Sequence, residues 1–456
     1  MPVLSFLRST VGLSKTRGQQ LVELAQSSKS RKDDAALRLA FYHDEQKTEL
    51  LKDLAKQFRQ PEKFQLFFLN LVKKVVNRLA VVYKEPPTRS LITGTERDQT
   101  IAAQLWQKSL IEVKLKKANR YTKLLKTCLV RVAWRDGAIQ YDLVTPNVVD
   151  VTYEIPESPQ EILITRPSQS KRPEDTTYAY WSPLEHFILD ARGNVLPNLD
   201  NPENVNPYGV LPFVPFFDAD PGDTFFLPGG DDLITAQKAI NLKCVDLLRN
   251  IQLQAWGQPW AKGLGVTRLD FGPETAINLP KDGDFGYAQP QAVISEVVEA
   301  IDYFVKQLAI TNNLPGATFA TDPVEASGVA KLVDTVDLCE ARQDDVELYR
   351  VYEAKLFEVT KAVWNYHNPN NPISESATLG IDFADLDAPQ TETERLDAIK
   401  RRIDLGIWSV VDAMMDENPD LKTRDDAIRE LEQRRIENDT YGPLAGLLNG
   451  GNGNAG

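Results

Sequence analysis

The chain is poor in the residues that most metal and redox sites need. Its 456 residues include only three cysteines and three histidines. The cysteines lie far apart, each inside an apolar pattern, and no CxxC pair is present. We therefore expect buried, reduced thiols, with neither a disulfide nor a zinc site. The residues concerned are Cys128, Cys244, Cys339, His43, His186 and His367.

The common catalytic motifs and long apolar runs are also missing. The sequence contains no Walker motif, nucleophile elbow or HExxH, so we expect a non-enzymatic protein without a cofactor. It has no charged-then-apolar leader, and its most apolar segment, 64–83, is interrupted by Lys73, Lys74 and Arg78. Because a membrane span needs about 20 apolar residues in a row, we expect a soluble cytoplasmic product.

Positive charge is the scarcer sign. Lysine and arginine number 52 against 65 aspartates and glutamates, which gives a net charge of −13. Tight DNA binding needs clustered cations that neutralise phosphates, so this balance disfavours a repressor-like binder. It allows a surface past which DNA slides without sticking. The hydrophobic share of 42% permits a proper core, and the length allows about three domains.

An unusual order of segments occupies the middle of the chain. Residues 231–255 and 291–310 each carry apolar residues at alternating spacings of three and four, which predicts two helices with one apolar face. The insert between them, 256–290, is rich in glycine and proline and predicts only short strands and turns. The loop 312–327 contains no lysine or arginine. Residues 328–367 then contain no proline and predict one very long helix.

The flanking segments predict an α+β body that is mainly α. Residues 1–60 are polar and helix-prone, and an Asp136-Gly137 turn predicts a β-hairpin. Capping-box patterns open two late helices, near Thr391 and Thr423. The predicted helices are 61–83, 97–117, 391–406 and 423–438, and the predicted strands are 127–134, 139–144, 148–154, 161–165, 177–181, 186–189 and 380–383.

Three groups of side chains are candidate functional residues, each with a simpler alternative. Asp218, Asp220 and Asp223 could hold Mg²⁺ or Ca²⁺, although an acidic Pro-Gly turn is the better supported interpretation. Two aromatic residues in the insert could dock a partner or form a small local core. Three lysines on the two helices could face DNA or a solvated surface. These last two groups are Trp256 and Trp260, and Lys238, Lys243 and Lys306.

The order of these parts resembles that of a tailed-bacteriophage portal protein. The resemblance covers roughly residues 60 to 437 and departs from the family in its short insert, so docking residues cannot be transferred there. The segments that carry it are Asn70–Arg78 with Tyr83 and Pro86, Leu105-Trp106, Leu129–Trp134 with Asp136-Gly137, Leu143–Val149, Asn206–Phe216, Asn313–Gly316, Ala326–Ala330 and Leu405–Ser409.

The resemblance implies a division of the chain and a function. The implied parts are an N-terminal helical arm (1–60), a wing (61–230), two stem helices (231–255 and 291–311), a clip (256–290), a tunnel loop (312–327), a long spine helix with a return to the wing (328–389), crown helices (390–438) and a flexible tail (439–456). Portal proteins form a ring, usually dodecameric, at one capsid vertex of the virion. Assembled in the host cytoplasm, the ring passes double-stranded DNA non-specifically during packaging and ejection.

The implied partners are the terminase large subunit, head-tail adaptor proteins, and the major capsid and scaffold proteins, with no membrane. The tunnel loop would place six residues in the DNA channel, and the three lysines would lie on the stem face of that channel. Two alternatives stay open: an oligomeric virion or scaffold component without a channel, and a metal-dependent enzyme that uses the three aspartates. The six loop residues are Asn312, Asn313, Thr318, Phe319, Thr321 and Asp322.

Overall fold

The computed structural model describes most of the chain. The described residues are 15–168, 170, 172–256, 258–262, 282–288, 294–315, 319, 336–384, 392–418, 420–421 and 423–441. They fall into two compact units, one with the described residues up to 384 and one with those from 392 to 441. Helix takes 51% and strand 19%, so the fold is α+β and mainly α.

The elements alternate in type through the first unit and are all helical in the second. The helices are α1 Arg17–Ser27, α2 Lys29–Tyr42, α3 Lys47–Ala55, α4 Leu71–Leu79, α5 Glu96–Ser109, α6 Ile111–Leu125, α7 Asp231–Trp256, α8 Ile294–Thr311, α9 Val336–His367, α10 Glu392–Asp404, α11 Val410–Glu417 and α12 Arg424–Tyr441. The strands are β1 Thr88–Thr93, β2 Thr127–Arg135, β3 Ala138–Val144, β4 Val149–Ile155, β5 Ser158–Arg166, β6 Thr177–Trp181, β7 His186–Leu189, β8 Val195–Leu196, β9 Phe213–Phe217, β10 Gln258–Lys262, β11 Asp284–Ala288 and β12 Thr378–Asp382.

The helix predicted over 61–83 is wrong for its first half. A 3₁₀ turn covers Pro61–Lys63, and α4 begins only at Leu71, where the Asn70 side chain accepts a hydrogen bond from the Lys73 N–H at 2.9 Å. Between them, burial alternates residue by residue, which is the pattern of extended chain. The partly buried residues of this segment pack against α3 and α7, so tertiary contacts override the helical spacing. They are Phe64, Leu66 and Phe68.

The single helix predicted over 97–117 is two helices. Leu110 adopts a left-handed conformation with φ of 54°, which ends α5 and starts α6. A left-handed residue cannot continue a right-handed helix. The apolar spacing of the sequence continues across the break and gives no sign of it.

Antiparallel sheets form the strand region. The Asp136-Gly137 turn, with φ of 52° and 73°, joins β2 to β3 as predicted. β9, which the sequence did not predict, pairs with the other edge of β2. The four strands predicted over 148–189 form β4 to β7 of a five-stranded sheet in the order β4-β5-β6-β7-β8. The strand predicted at 380–383 is β12, which pairs with β1.

The long helix α9 runs through the largest hydrophobic core. Tyr349, Tyr352 and Leu356 are buried there with residues of β2 and β9. Among them lies Glu353, whose side chain is 1% exposed. Its two oxygens accept from Arg89 Nε at 2.6 Å and Nη2 at 3.0 Å, and from the Tyr83 hydroxyl at 2.7 Å. This carboxylate therefore ties α9 to β1 and to the loop before it.

The second unit is a small helical array. Ser409 opens α11 with a capping box, and α11 packs against α12. Arg395 of α10 pairs with Glu417 of α11 at 3.1 Å. The helices predicted from Thr391 and Thr423 are present as α10 and α12, whereas α11 was not predicted.

We expect Glu353→Gln to destabilise the first unit by about 3–5 kcal/mol, because it leaves the buried Arg89 cation with only the half-exposed carboxylate of Glu112 as counter-charge. Urea unfolding followed by tryptophan fluorescence measures this. Glu358→Gln on the same helix is the matched control, since Glu358 is 52% exposed and forms only an i,i+3 pair with Lys361. A Glu353 variant as stable as the Glu358 variant would contradict the account.

Candidate functional site

The most distinctive feature of the first unit is formed by α7, the β10–β11 hairpin and α8. These elements are here called the helical arm, which is separate from the predicted N-terminal arm of residues 1–60. α7 and α8 pack against each other, and β10 pairs antiparallel with β11 between them. The helices predicted over 231–255 and 291–310 and the non-helical insert are confirmed within the described residues. Of the predicted long helix 328–367, residues 336–367 form α9, and the rest lies outside the described residues.

A buried amide network anchors α7 to the body. Gln237 accepts hydrogen bonds from the Leu71 N–H at 2.9 Å and the Val72 N–H at 3.2 Å, which are free donors at the first turn of α4. It donates to the Leu69 carbonyl at 2.8 Å and to Asn241 at 2.7 Å. This network was not predicted, although two amides on the apolar side of a helix were a usable signal.

The hairpin of the arm is held by a close aromatic contact. Trp260 lies directly opposite Gly286, and a Cβ at Gly286 would stand 2.9 Å from the indole ring. Only glycine leaves room for this ring. Trp260 is nevertheless 43% exposed, so it both packs locally and presents a surface. Trp256 is the last residue of α7.

All three predicted lysines have acidic partners. Lys238 lies 3.5 Å from Glu49 and 3.9 Å from Asp53 of α3. Lys243 lies 3.1 Å from Asp246 of the same helix. Lys306 lies 2.6 Å from Asp302, which also belongs to its own helix. Arg249, the other cation of α7, stacks 4.9 Å from the Phe58 ring centroid.

The predicted channel loop is described only in part. Asn312 donates to the Leu308 carbonyl at 2.8 Å, and Asn313 has a φ of 54°, so both residues belong to the end of α8. Phe319 packs against a hydrophobic core formed by residues of α2, α4, α6, α7 and α8, with Lys74 Nζ 4.7 Å from its ring centroid. Thr318, Thr321 and Asp322 lie outside the described residues.

The predicted metal residues do not form a metal site in the described part of the chain, where no group of three His, Cys, Asp or Glu could hold an ion. Asp218 instead pairs with Lys123 at 2.9 Å and Lys126 at 2.7 Å. Asp220 accepts from the Gly222 N–H at 3.1 Å, as expected for an acidic turn. The Asp218 carboxylate already forms ion pairs with two lysines. Asp220 lies in an acidic turn, the simpler alternative to a metal site.

The Asp218 cluster includes a second buried acid. Lys123 also lies 2.9 Å from Asp345 of α9, whose side chain is 8% exposed. Burial, offset in part by Lys123, raises the pKa of Asp345 to about 6. The cluster joins α6, the turn after β9 and α9 and is a structural junction.

No family model matches this chain, and no curated protein matches it. Its function therefore has to be inferred from the geometry of the helical arm and the surfaces around it. Among the described helices, none is long and apolar enough to cross a membrane.

The apolar surface of the arm is wider than one neighbour can cover. Only Leu308 and Ala309 of α8 are buried. Five large apolar side chains of the two helices are exposed, although the sequence pattern predicted one packed face. They are Ile251, Val298, Tyr303, Phe304 and Ile310, exposed by 38–60%. An apolar surface of this kind is typical of a protein–protein interface.

We expect the stability of the wild-type protein to fall relative to Asp345→Asn as the pH rises. A carboxyl whose folded pKa lies above its unfolded value of about 3.9 binds its proton more tightly when folded, so its contribution is lost between about pH 4 and 6. Between pH 5 and 7 the change is about 1 kcal/mol. Urea titrations at both pH values measure it, with Asp344→Asn, an exposed neighbour, as the control. Parallel pH profiles for the wild type and Asp345→Asn would contradict the assignment.

Proposed function

We propose that this chain is a portal-type protein whose copies close into a ring around a DNA channel. In this proposal α7 and α8 form the stem, the β10–β11 hairpin forms the clip, and α9 is the spine. The ring stands at a capsid vertex, passes the genome inward and outward, and attaches the tail. The observation that carries the proposal is the uncovered apolar surface of α8.

The exposed residues of α8 support lateral packing between copies. Tyr303 and Ile310 are 60% and 57% exposed and, seven residues apart, lie on the same side of the helix. Burying apolar area contributes roughly 25 cal/mol per Å². α7 covers one side of α8 and leaves the other to a second copy. A contact between two different surfaces of identical chains is heterologous and can close into a ring.

The charges of the arm support weak contact with DNA. Every lysine and arginine on α7 and α8 is engaged within the chain, three by carboxylates and Arg249 by aromatic rings. Cations that are already neutralised release few counterions from DNA, so they contribute little to binding. A net charge of −13 adds repulsion. Such a surface suits passage of DNA and not its capture.

The hairpin supports docking of a partner at the end of the arm. Trp260 lies against Gly286 of the paired strand and is partly exposed. Half-exposed aromatic residues are frequent anchors at interfaces. In the proposal the partner at this end is the packaging terminase, which would supply the ATP hydrolysis.

We expect the double substitution Tyr303→Asp and Ile310→Asp to reduce assemblies to monomers, because both charges fall on the side of α8 that a second copy would bury. The fold should survive, since both positions are already exposed within one chain. Sedimentation velocity measures assembly, and circular dichroism measures folding.

Leu199→Asp is the matched control for this experiment. Leu199 is 97% exposed, outside the arm, and the variant should sediment like the wild type. Folded double-variant protein that assembles like the wild type would contradict the assigned interface. A wild-type protein that stays monomeric at all concentrations would contradict the ring itself.

A further inference from the structure

A cluster of arginines lies where the three-stranded sheet meets the five-stranded sheet. Arg131 and Arg135 stand four residues apart on β2 and share one face, because side chains alternate along a strand. Arg166, the last residue of β5, shares the face of Ile162 and Ile164, which belong to the core beneath β2. These three guanidinium groups therefore converge on one seam.

Only one carboxylate serves these three cations in the described structure. Asp142 lies directly opposite Arg131 in the β2–β3 register. Its two oxygens are nevertheless taken by Arg135, in a bidentate pair with one bond of 2.9 Å. No ion pair or hydrogen bond of the Arg131 or Arg166 side chain is present among the described residues. Arg131 is thus left with only the charge of an Asp142 that Arg135 already engages, and Arg166 pairs with no carboxylate in the described part of the chain.

The surroundings of Arg131 are aromatic and short of acceptors. Its Cζ lies 4.9 Å from the ring centroid of Trp181 and 5.8 Å from that of Phe213. The Nε of Arg131 and the Nε1 of Trp181 are both buried without a hydrogen-bond partner, and Trp181 is only 4% exposed. Buried donors that lack acceptors destabilise the fold, because they have lost their hydrogen bonds to water. The site is rich in donors and lacks an acceptor.

The remaining titratable neighbour does not supply a negative charge. His186 stacks on Trp181 with ring centroids 3.5 Å apart, and its Nδ1 lies 2.9 Å from the Tyr180 carbonyl. Burial, together with the nearby Arg131 and Arg166, lowers the pKa of His186 to about 4. The ring is therefore neutral at pH 7, and the potential at the seam comes from the arginines.

We propose that Arg131 and Arg166 form a binding site for a small oxyanion, a phosphate or a carboxylate. Arg166 is exposed and stands at the open side of the site, so a ligand can reach it from solvent. The planar fork of a guanidinium matches the paired oxygens of both ligand types. Bound there, the oxyanion supplies the acceptor and the negative charge that Asp142 cannot provide to all three arginines. The site does not depend on ring formation.

The test is thermal unfolding of the full chain with increasing inorganic phosphate, at an ionic strength held constant with sodium chloride. Ligand that binds only the folded state raises the melting temperature. We expect a saturable rise of roughly 1–3 °C in the wild type and no saturable rise in Arg166→Gln. Without phosphate, Arg166→Gln should be at least as stable as the wild type, because it relieves repulsion between like charges.

Arg172→Gln is the matched control. Arg172 is an exposed cation in the segment after β5, so its variant has the same net charge as Arg166→Gln and should respond to phosphate like the wild type. A parallel titration with acetate distinguishes a site that also accepts carboxylates from one that requires phosphate. An equal rise in all three proteins, or no rise in the wild type with either anion, would overturn the proposal.

Discussion

The buried carboxylate of Glu353 is the constraint on which the first unit depends. It stands on the long helix among tyrosines and leucines, and Arg89 and Tyr83 satisfy it from two other segments. Burial alone would lower the pKa of Arg89, but the bonds and charge of Glu353 raise it above the ordinary value. Arg89 therefore keeps its charge in the fold, and its bonds to Glu353 fix α9 against β1. The same helix packs against β2, β9 and β12.

Much of the local structure follows from the sequence, because it is decided by nearby residues. The turn at Asp136-Gly137, where φ is positive, depends on residues within a few positions of it. The same holds for the glycine-rich insert and for the capping boxes. The errors have a tertiary cause. Segment 64–70 is extended because its apolar residues meet α3 and α7, and Leu110 interrupts a helix whose apolar spacing continues. β9 was missed since Phe213–Phe217 is buried on both faces and shows no alternation.

The candidate sites were less predictable than the fold, because charge pairing depends on which side chains the folded chain brings together. The sequence identified Lys238, Lys243 and Lys306 but could not show that each has a carboxylate beside it. It identified Asp218 but not the lysines that occupy it. The seam around Arg131 was not anticipated either. Its members come from β2, β5 and β6, and only the sheet packing places them together.

The acidic balance, the neutralised cations and the uncovered apolar side of α8 are the observations behind the proposed assembly, a closed ring with a channel for DNA. The most direct measurement is single-particle electron microscopy of the purified wild-type protein. The account predicts closed rings of uniform subunit number with a central hole. Only monomers, dimers or open filaments, across protein concentrations and salt conditions, would contradict it.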